Sequence, residues 1–348
     1  MTKTVFKNLA ALLGFILVLS NTQSAQTVIG KYAGEFMSIG VGGRANGMGG
    51  AFTAIANDVT AGYWNPAGLA HMDYPQISLM HEEHFGNLVN YNYAAVGIPY
   101  GSDATVALSV IRLGIDGIPD TREALIDRIS GNVIYDINNR NASIDPSKVK
   151  EFNNADWAFY LSYAKRHSDK FLYGANVKII RRDIAEYGAT GIGFDIGALY
   201  TPVDNLWLGA NVQDITTTIV AWSTGRNELI TPTLKLGAAY GLNFFYGRIT
   251  PAADFDVRFE NRKFASQFNV GPVSIDPHAG LEYSYKNLFA VRFGYNDVKD
   301  FTIGAGIKLP KMNIDYSFAK FSGAKEDDLG DSHRISLILT LEEPKFKR

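Results

Sequence analysis

The chain contains no cysteine, which excludes disulfides, thiolate metal sites, a cysteine nucleophile and lipoprotein acylation, since each needs the sulfur itself. It has no excess of either charge: 33 Lys and Arg stand against 35 Asp and Glu in 348 residues. Nucleic-acid binders usually concentrate Lys and Arg on one face, so nucleic acid is not expected as a partner. Beyond the first segment there is no long uninterrupted apolar run, and a helix needs about 20 apolar residues to span a bilayer. No Ser-His-Asp set and no paired carboxylates stand out. The expectation is a protein that is not an enzyme and needs no cofactor.

What the chain does have is Gly (34), Tyr (18) and Phe (21), a composition suited to strands and tight turns. Its first residues read as a targeting segment. Lys3 and Lys7 precede the apolar run Leu9 to Leu19, and Asn21-Thr22-Gln23-Ser24-Ala25 follows, the layout of a secretory signal peptide. Residues 1–25 are therefore expected to be removed on export.

Downstream, apolar residues recur with period two. Leu234, Leu236, Ala238 and Tyr240 alternate with Lys235, Gly237, Ala239 and Gly241, and Phe301, Ile303, Ala305, Ile307 and Leu309 alternate with Thr302, Gly304, Gly306 and Lys308. The same holds for Ile192 to Tyr200, Ala279 to Tyr285 and Met312 to Phe318. Period two places one residue set on each face of a strand. A soluble sandwich also alternates, but here the second face carries Gly, Ser, Asn and charge, as a polar lumen requires, and Tyr or Phe often closes the apolar row as in an interfacial girdle. Such windows between Gln76 and Leu341 number roughly fourteen, an even count that fits a transmembrane barrel. The fold class expected is all-β: a transmembrane antiparallel β-barrel of about 14 strands, with a small N-terminal plug containing short helices that rests mainly on the family resemblance of Gly40 to Ala70 given below. The expected organisation is signal peptide 1–25, plug 26–74, barrel 75–341 with a long extracellular loop over 114–156, and a short polar tail 342–348.

The most distinctive stretch lies before the first strand. It runs Gly40-Val-Gly42-Gly43-Arg44-Ala-Asn-Gly47-Met48-Gly49-Gly50-Ala to Asn57-Asp58, then Tyr63-Trp64-Asn65-Pro66-Ala67-Gly68-Leu69-Ala70. Glycines allow close backbone approach, and Ala51, Ala54 and Ala56 suit packing in a confined space. Asn65 before Pro66 reads as an N-cap with Pro at the first helical position. For Arg44 and Asp58 structural pairing within or beside the plug is expected, because a charge among small residues in a confined lumen needs a partner. A dinucleotide loop would need a flanking βαβ unit, which this chain does not offer.

The run GVGGRANGMGGAFTAIANDVTAGYWNPAGLA resembles the N-terminal signature of the PorV/PorQ proteins within the FadL-like outer-membrane barrels. The resemblance implies a fourteen-stranded barrel whose N-terminal segment plugs the lumen. For the PorV/PorQ branch it implies an accessory role in type IX secretion, with translocon subunits and secreted cargo as partners. For FadL-like transporters it implies passage of a hydrophobic ligand. A structural surface barrel with a closed lumen is the third possibility. In each case the location implied is the outer membrane, among lipid and lipopolysaccharide. The plug motif, structural or gating, then comprises Gly42, Gly43, Arg44, Gly47, Met48, Gly49, Gly50, Asp58, Trp64, Asn65, Pro66 and Gly68.

Other clusters carry less. His81 and His84 of the His-Glu-Glu-His run fall on opposite faces of a strand, so metal binding is not expected. Lys178, Arg181 and Arg182 suit either the lumen or lipopolysaccharide phosphates at the rim.

Overall fold

The computed structural model describes residues 27–29, 34–84, 88–259, 266–296, 298, 300–319 and 331–342. The expected signal peptide and the tail beyond 342 lie outside the described residues.

Strands β2 (Gln76–His84), β3 (Val89–Tyr100), β4 (Ala104–Asp120), β7 (Lys150–Ser168), β8 (Phe171–Ile184) and β9 (Tyr187–Tyr200) form successive antiparallel pairs. The wall continues through β10 (Leu206–Gln213) with β11 (Thr218–Trp222), then β12 (Asn227–Ile230) with β13 (Thr233–Tyr240), then β15 (Gly247–Arg258), which also pairs with the short β14 (Leu242–Phe244), and β17 (Val273–Tyr285), which also pairs with the short β16 (Phe268–Val270). It ends with β18 (Phe289–Tyr295), β19 (Phe301–Leu309), β20 (Met312–Ala319) and β21 (Ser332–Thr340). Gln76 of β2 pairs with Gly97 of β3 and with Thr340 of β21, which closes the sheet. Counting β10–β11 and β12–β13 as one strand each, the described residues make a closed barrel of 14 antiparallel strands.

Alternation decides which medium each side chain meets. On β8, Phe171, Tyr173, Ala175, Val177 and Ile179 are exposed, while Leu172, Gly174, Asn176, Lys178 and Ile180 are buried. On β15, Pro251, Ala253 and Phe255 are exposed and Thr250, Asp254 and Asp256 are buried. A water-soluble barrel would bury the apolar rows; here they form the outer surface, as in a lipid-facing band. No described helix is long and apolar enough to cross a membrane.

One end carries only short turns, such as residues 101–103, 169–170 and 310–311. The other carries the long connection. Its boundaries correct the sequence expectation of a loop over 114–156: β4 continues to Asp120 and β7 begins at Lys150, with a register shift between Ile115 and Ile118. The connection is thus 121–149, and it contains a small hairpin of β5 (Leu125–Asp127) and β6 (Ala142–Ile144). The composition of Gly114 to Asp120 concealed this, because a strand rising beyond the lipid has both faces wet and need not alternate.

The wall is irregular at two adjacent strands. Between β10 and β11, Asp214 and Thr217 take positive φ of 55° and 58°, and both segments still pair with β9. Between β12 and β13 stands Pro232, which lacks a ladder donor. Pairing of β13 with β15 ends at Thr233 and Arg258, and the free edge of β12 instead takes β1 (Thr27–Ile29) in parallel.

Candidate functional site

Residues 34–74 sit inside the barrel, for they contact inward-facing residues around its circumference. The Gly43 N–H donates to Ser336 Oγ on β21 (2.9 Å), and Thr302 Oγ1 on β19 donates to the Gly47 carbonyl (3.2 Å). His278 Nδ1 on β17 meets the Gly49 carbonyl at 2.8 Å. The N–H groups of Phe52 and Thr53 both donate to Asp254 Oδ2 on β15, at 2.9 and 2.7 Å. Across the lumen, Asn176 on β8 donates to the Gly62 carbonyl (2.8 Å) and Asn211 on β10 to the Trp64 carbonyl (3.0 Å). The wall thus satisfies the backbone of a segment too short to build its own sheet or long helix.

Wall glycines make this contact possible. A Cβ on Gly174 would stand 2.6 Å from the Pro66 carbonyl carbon, and one on Gly280 would stand 2.5 Å from the Met48 oxygen. A Cβ on Gly209 or Gly294 would strike the plug backbone at Thr53 or Gly49. From the plug side, a Cβ on Gly47 would approach Gly304 Cα to 3.0 Å. Glycine on the inner face is therefore room for the plug backbone as well as lumen space.

The plug has its own apolar core. Val41, Met48, Phe52, Val59 and Leu69 are fully buried, packed with small residues such as Ala51, Ala56 and Ala67 and with inward aromatics Tyr91 and Tyr160. Each large side chain so buried contributes roughly 1.5–3 kcal/mol. Trp64 Nε1 donates to the Val41 carbonyl (2.9 Å), and the Trp64 ring meets Tyr63 edge-on at 5.0 Å. Asn65 caps the 3-10 helix Pro66–His71: its Oδ1 accepts from the Ala67 N–H at 3.2 Å, while its Nδ2 donates to the Thr53 carbonyl (2.9 Å) and the Ala198 carbonyl on β9 (3.1 Å). Gly68 packs directly on the Ala56 carbonyl.

Charges tie plug to wall. Arg44 donates Nε and Nη2 to Glu282 (2.9 and 3.0 Å) and Nη1 to Asn57 Oδ1 (2.8 Å). Its guanidinium also lies 5.1 Å above the Phe52 ring. Burial opposes this charge, but the Glu282 carboxylate outweighs it, so the pKa of Arg44 is raised and the tie stays ionised. Arg292 continues the chain to Glu282 and Asp315, each at 2.7 Å. Asp58 finds its partner within the plug, accepting from the Thr60 N–H (2.8 Å) and hydroxyl (2.5 Å).

Of the twelve motif residues named from sequence, all lie in this segment: Gly42, Gly43, Gly47, Met48, Gly49, Asp58, Trp64, Asn65, Pro66 and Gly68 are buried, and Arg44 and Gly50 are partly so. Sequence reasoning missed the wall partners of the plug: Asp254, His278, Asn211, Asn176 and Glu282. Their only signal was polarity on the inner row of otherwise apolar strands. It also left the basic run on β8 open. Alternation splits it: Lys178 faces inward to Asp195 and Asp214 (2.9 and 2.8 Å), Arg182 inward to Asp156, and Arg181 outward at the long-loop rim. His84 turns inward to Glu82, while His81 is exposed.

Under the plug, at the short-turn end, lies an open cavity of about 1310 Å³ bordered by Arg44, Asp58, Trp207, Arg248, Glu282 and Lys308 among others. On the long-loop side a pocket of only about 70 Å³ reaches Lys178, Asp214 and Tyr63 beside the β10–β11 interruption. The barrel is thus a vestibule closed by a packed segment.

Residues 15–98 match the model of an uncharacterised protein family, UPF0164. No curated protein matches the chain. Among solved structures, the toluene transporter TbuX of Ralstonia pickettii superposes with a TM-score of 0.53 at 14% identity, covering 87% of this chain and 99% of that one. A Pseudomonas aeruginosa FadL homologue gives 0.54 at 12% identity, with 87% and 98% covered. The Pseudomonas putida toluene transporter TodX gives 0.53 at 14%, with 86% and 96% covered. At these identities the likeness is one of fold: the chain has a FadL-like barrel.

Proposed function

We propose that the protein is an outer-membrane transporter that passes hydrophobic small molecules through a plugged barrel, with the long-loop end outside the cell and the vestibule facing the periplasm. The observation that carries this reading is the lumen itself. A FadL-like barrel with a lipid-facing apolar surface is occupied by a plug bonded to β8, β9, β10, β15, β17, β19 and β21, so it does not offer polar solutes an open channel. The neighbours described as toluene transporters and a FadL homologue support the class of cargo.

The test is uptake in a Gram-negative host lacking its own transporters of this kind. Expression of the chain should accelerate entry of toluene or a long-chain alcohol while leaving uptake of a disaccharide unchanged. Equal acceleration of both would indicate an open pore, and acceleration of neither would remove the transport reading.

A part in type IX secretion is the second reading, supported by the likeness of Gly40 to Ala70 to PorV and PorQ. That run packs the plug, a task any FadL-like barrel sets. Under this reading secreted cargo would stay cell-associated when the gene is deleted, and hydrophobic uptake would not change.

A further inference from the structure

The outer face of the barrel ends differently on its two sides. Across β2, β3, β4, β7, β8 and β9, strand register sets Leu79, Ala94, Val110, Phe159, Ile179 and Ile192 in one outward row. One outward step nearer the long-loop end, the row reads His81, Asn92, Arg112, Trp157, Arg181 and Thr190. An apolar row thus gives way within one pleat to a cationic one, with Arg112 and Arg181 on either side of Trp157. From β18 to β21 the same end of the outer face carries Tyr295, Phe301, Phe318 and His333, an aromatic border of the kind that girdles a transmembrane barrel. Such a girdle does not account for two outward arginines flanking a tryptophan.

Both arginine heads lie against the wall. Arg112 Cζ stands 5.6 Å from the Trp157 ring centre, and the Trp157 ring is stacked with that of Phe159 at 6.0 Å. Glycines of neighbouring positions make room for the guanidinium groups: a Cβ on Gly114 would stand 2.6 Å from Arg112 Cζ, and one on Gly188 would stand 2.8 Å from Arg181 Nη2. Arg181 donates Nη1 to Thr190 Oγ1 (3.3 Å) and Nε to Asp183 Oδ2 (3.1 Å). Arg112 reaches only Asp116 Oδ1, with Nη2 at 3.5 Å, so most of its donors stay open to a ligand. Asp116 and Asp183 are themselves about half exposed, and exposed ion pairs of this kind hold their partners weakly. The pairs therefore orient the arginines without committing them.

We propose that Arg112, Trp157 and Arg181 form a site on the outer face of the barrel for the phosphorylated sugar headgroup of an outer-leaflet glycolipid, with its acyl chains lying on Val110, Phe159 and Ile179. Guanidinium groups take phosphate oxygens through paired N–H donors. The two arginines stand two strands, or roughly 10 Å, apart, a spacing on the scale of a disaccharide. A phospholipid with one small head would meet one arginine, whereas a disaccharide phosphorylated at both ends reaches both. The apolar row directly below them supplies the depth that acyl chains need. The bound lipid would tie β4, β7 and β8, which flank the long connection, to the outer leaflet. This goes beyond the transport reading: it rests on the long-loop end facing outward and not on what the lumen carries.

The probe is bisphosphorylated lipid A, mixed with the purified barrel in a non-ionic detergent and counted on the protein by native mass spectrometry. Lipid A stripped of both phosphates is the comparison. Wild type should retain the phosphorylated form in preference. The double substitution Arg112→Gln, Arg181→Gln should weaken that form by about tenfold or more and leave the stripped form within about twofold. Lys165→Gln removes a half-exposed cation of β7 at the short-turn end and should leave both lipids unchanged. Folding of each variant is checked by heat-modifiable migration. Equal retention of the two lipids by wild type, unchanged retention in the double variant, or an equal loss in Lys165→Gln overturns the site while hydrophobic uptake stands. If phosphatidylglycerol or inorganic phosphate displaces lipid A as fully as the double substitution does, the arginines answer to any phosphate and the glycolipid assignment fails.

Discussion

Gly174 and Ala175 are neighbours on β8 that face opposite media, one toward the plug and one toward lipid. A Cβ on Gly174 would stand 2.6 Å from the Pro66 carbonyl carbon and 2.7 Å from the Ala67 nitrogen, neither of which can swing aside as a flexible side chain would. Gly174→Val should therefore destabilise the folded barrel by roughly 1–3 kcal/mol, the usual cost of overpacking a close contact. Ala175→Val adds the same kind of side chain on the lipid face and should be close to neutral. Thermal midpoints followed by heat-modifiable migration give the comparison. Matching midpoints for the two variants would mean that the plug does not press on the wall at this level.

At the scale of an element, the 3-10 helix Pro66–His71 depends on one residue. Asn65 caps it and also bonds Thr53 and Ala198, so Asn65→Ala loses a cap and leaves two buried carbonyls short of a donor. A cost of about 1–3 kcal/mol is expected, again read as a thermal midpoint. Asn65→Asp keeps the cap oxygen but sets a buried carboxylate against the Thr53 and Ala198 carbonyls, so it should cost at least as much as Ala. This helix was legible in the sequence because Asn-Pro acts through its immediate neighbours. The strands were legible because period two is also local and because lipid imposes it over nine residues or more. The extent of β4 was not legible: Asp116, Gly117 and Pro119 read as loop residues, and only pairing with β7 keeps them in a strand. The interruption of β10 and β11 was hidden for a similar reason. Lys178, Asp195 and Asp214 stabilise that region as a buried cluster, yet they come from three separate stretches of chain. The parallel seat of β1 on β12 has no signal in a short segment that lies beside the expected signal peptide. The plug motif itself stood out from the sequence, whereas its partners around the wall are set by barrel closure, which no local pattern encodes.

On the transport reading, passage through the whole molecule requires the plug to yield, since the vestibule and the small outer pocket lie on opposite sides of it. The absence of cysteine makes this testable with a single engineered bridge. A Cβ on Gly62 would stand 3.8 Å from the Cβ of Ser162 on β7, the usual separation in a disulfide, and Gly62 is not at positive φ. In the variant Gly62→Cys, Ser162→Cys the short helix Ala61–Trp64 should be tied to the wall without a competing thiol. Oxidised protein is expected to lose hydrophobic uptake and to recover it on reduction, with either single variant transporting normally in both states. Full uptake with the bridge quantitatively formed would show that this half of the plug stays still. The moving part would then be the Gly42–Gly50 run held by Arg44 and Glu282, where Arg44→Ala should raise uptake if that ion pair is what restrains it.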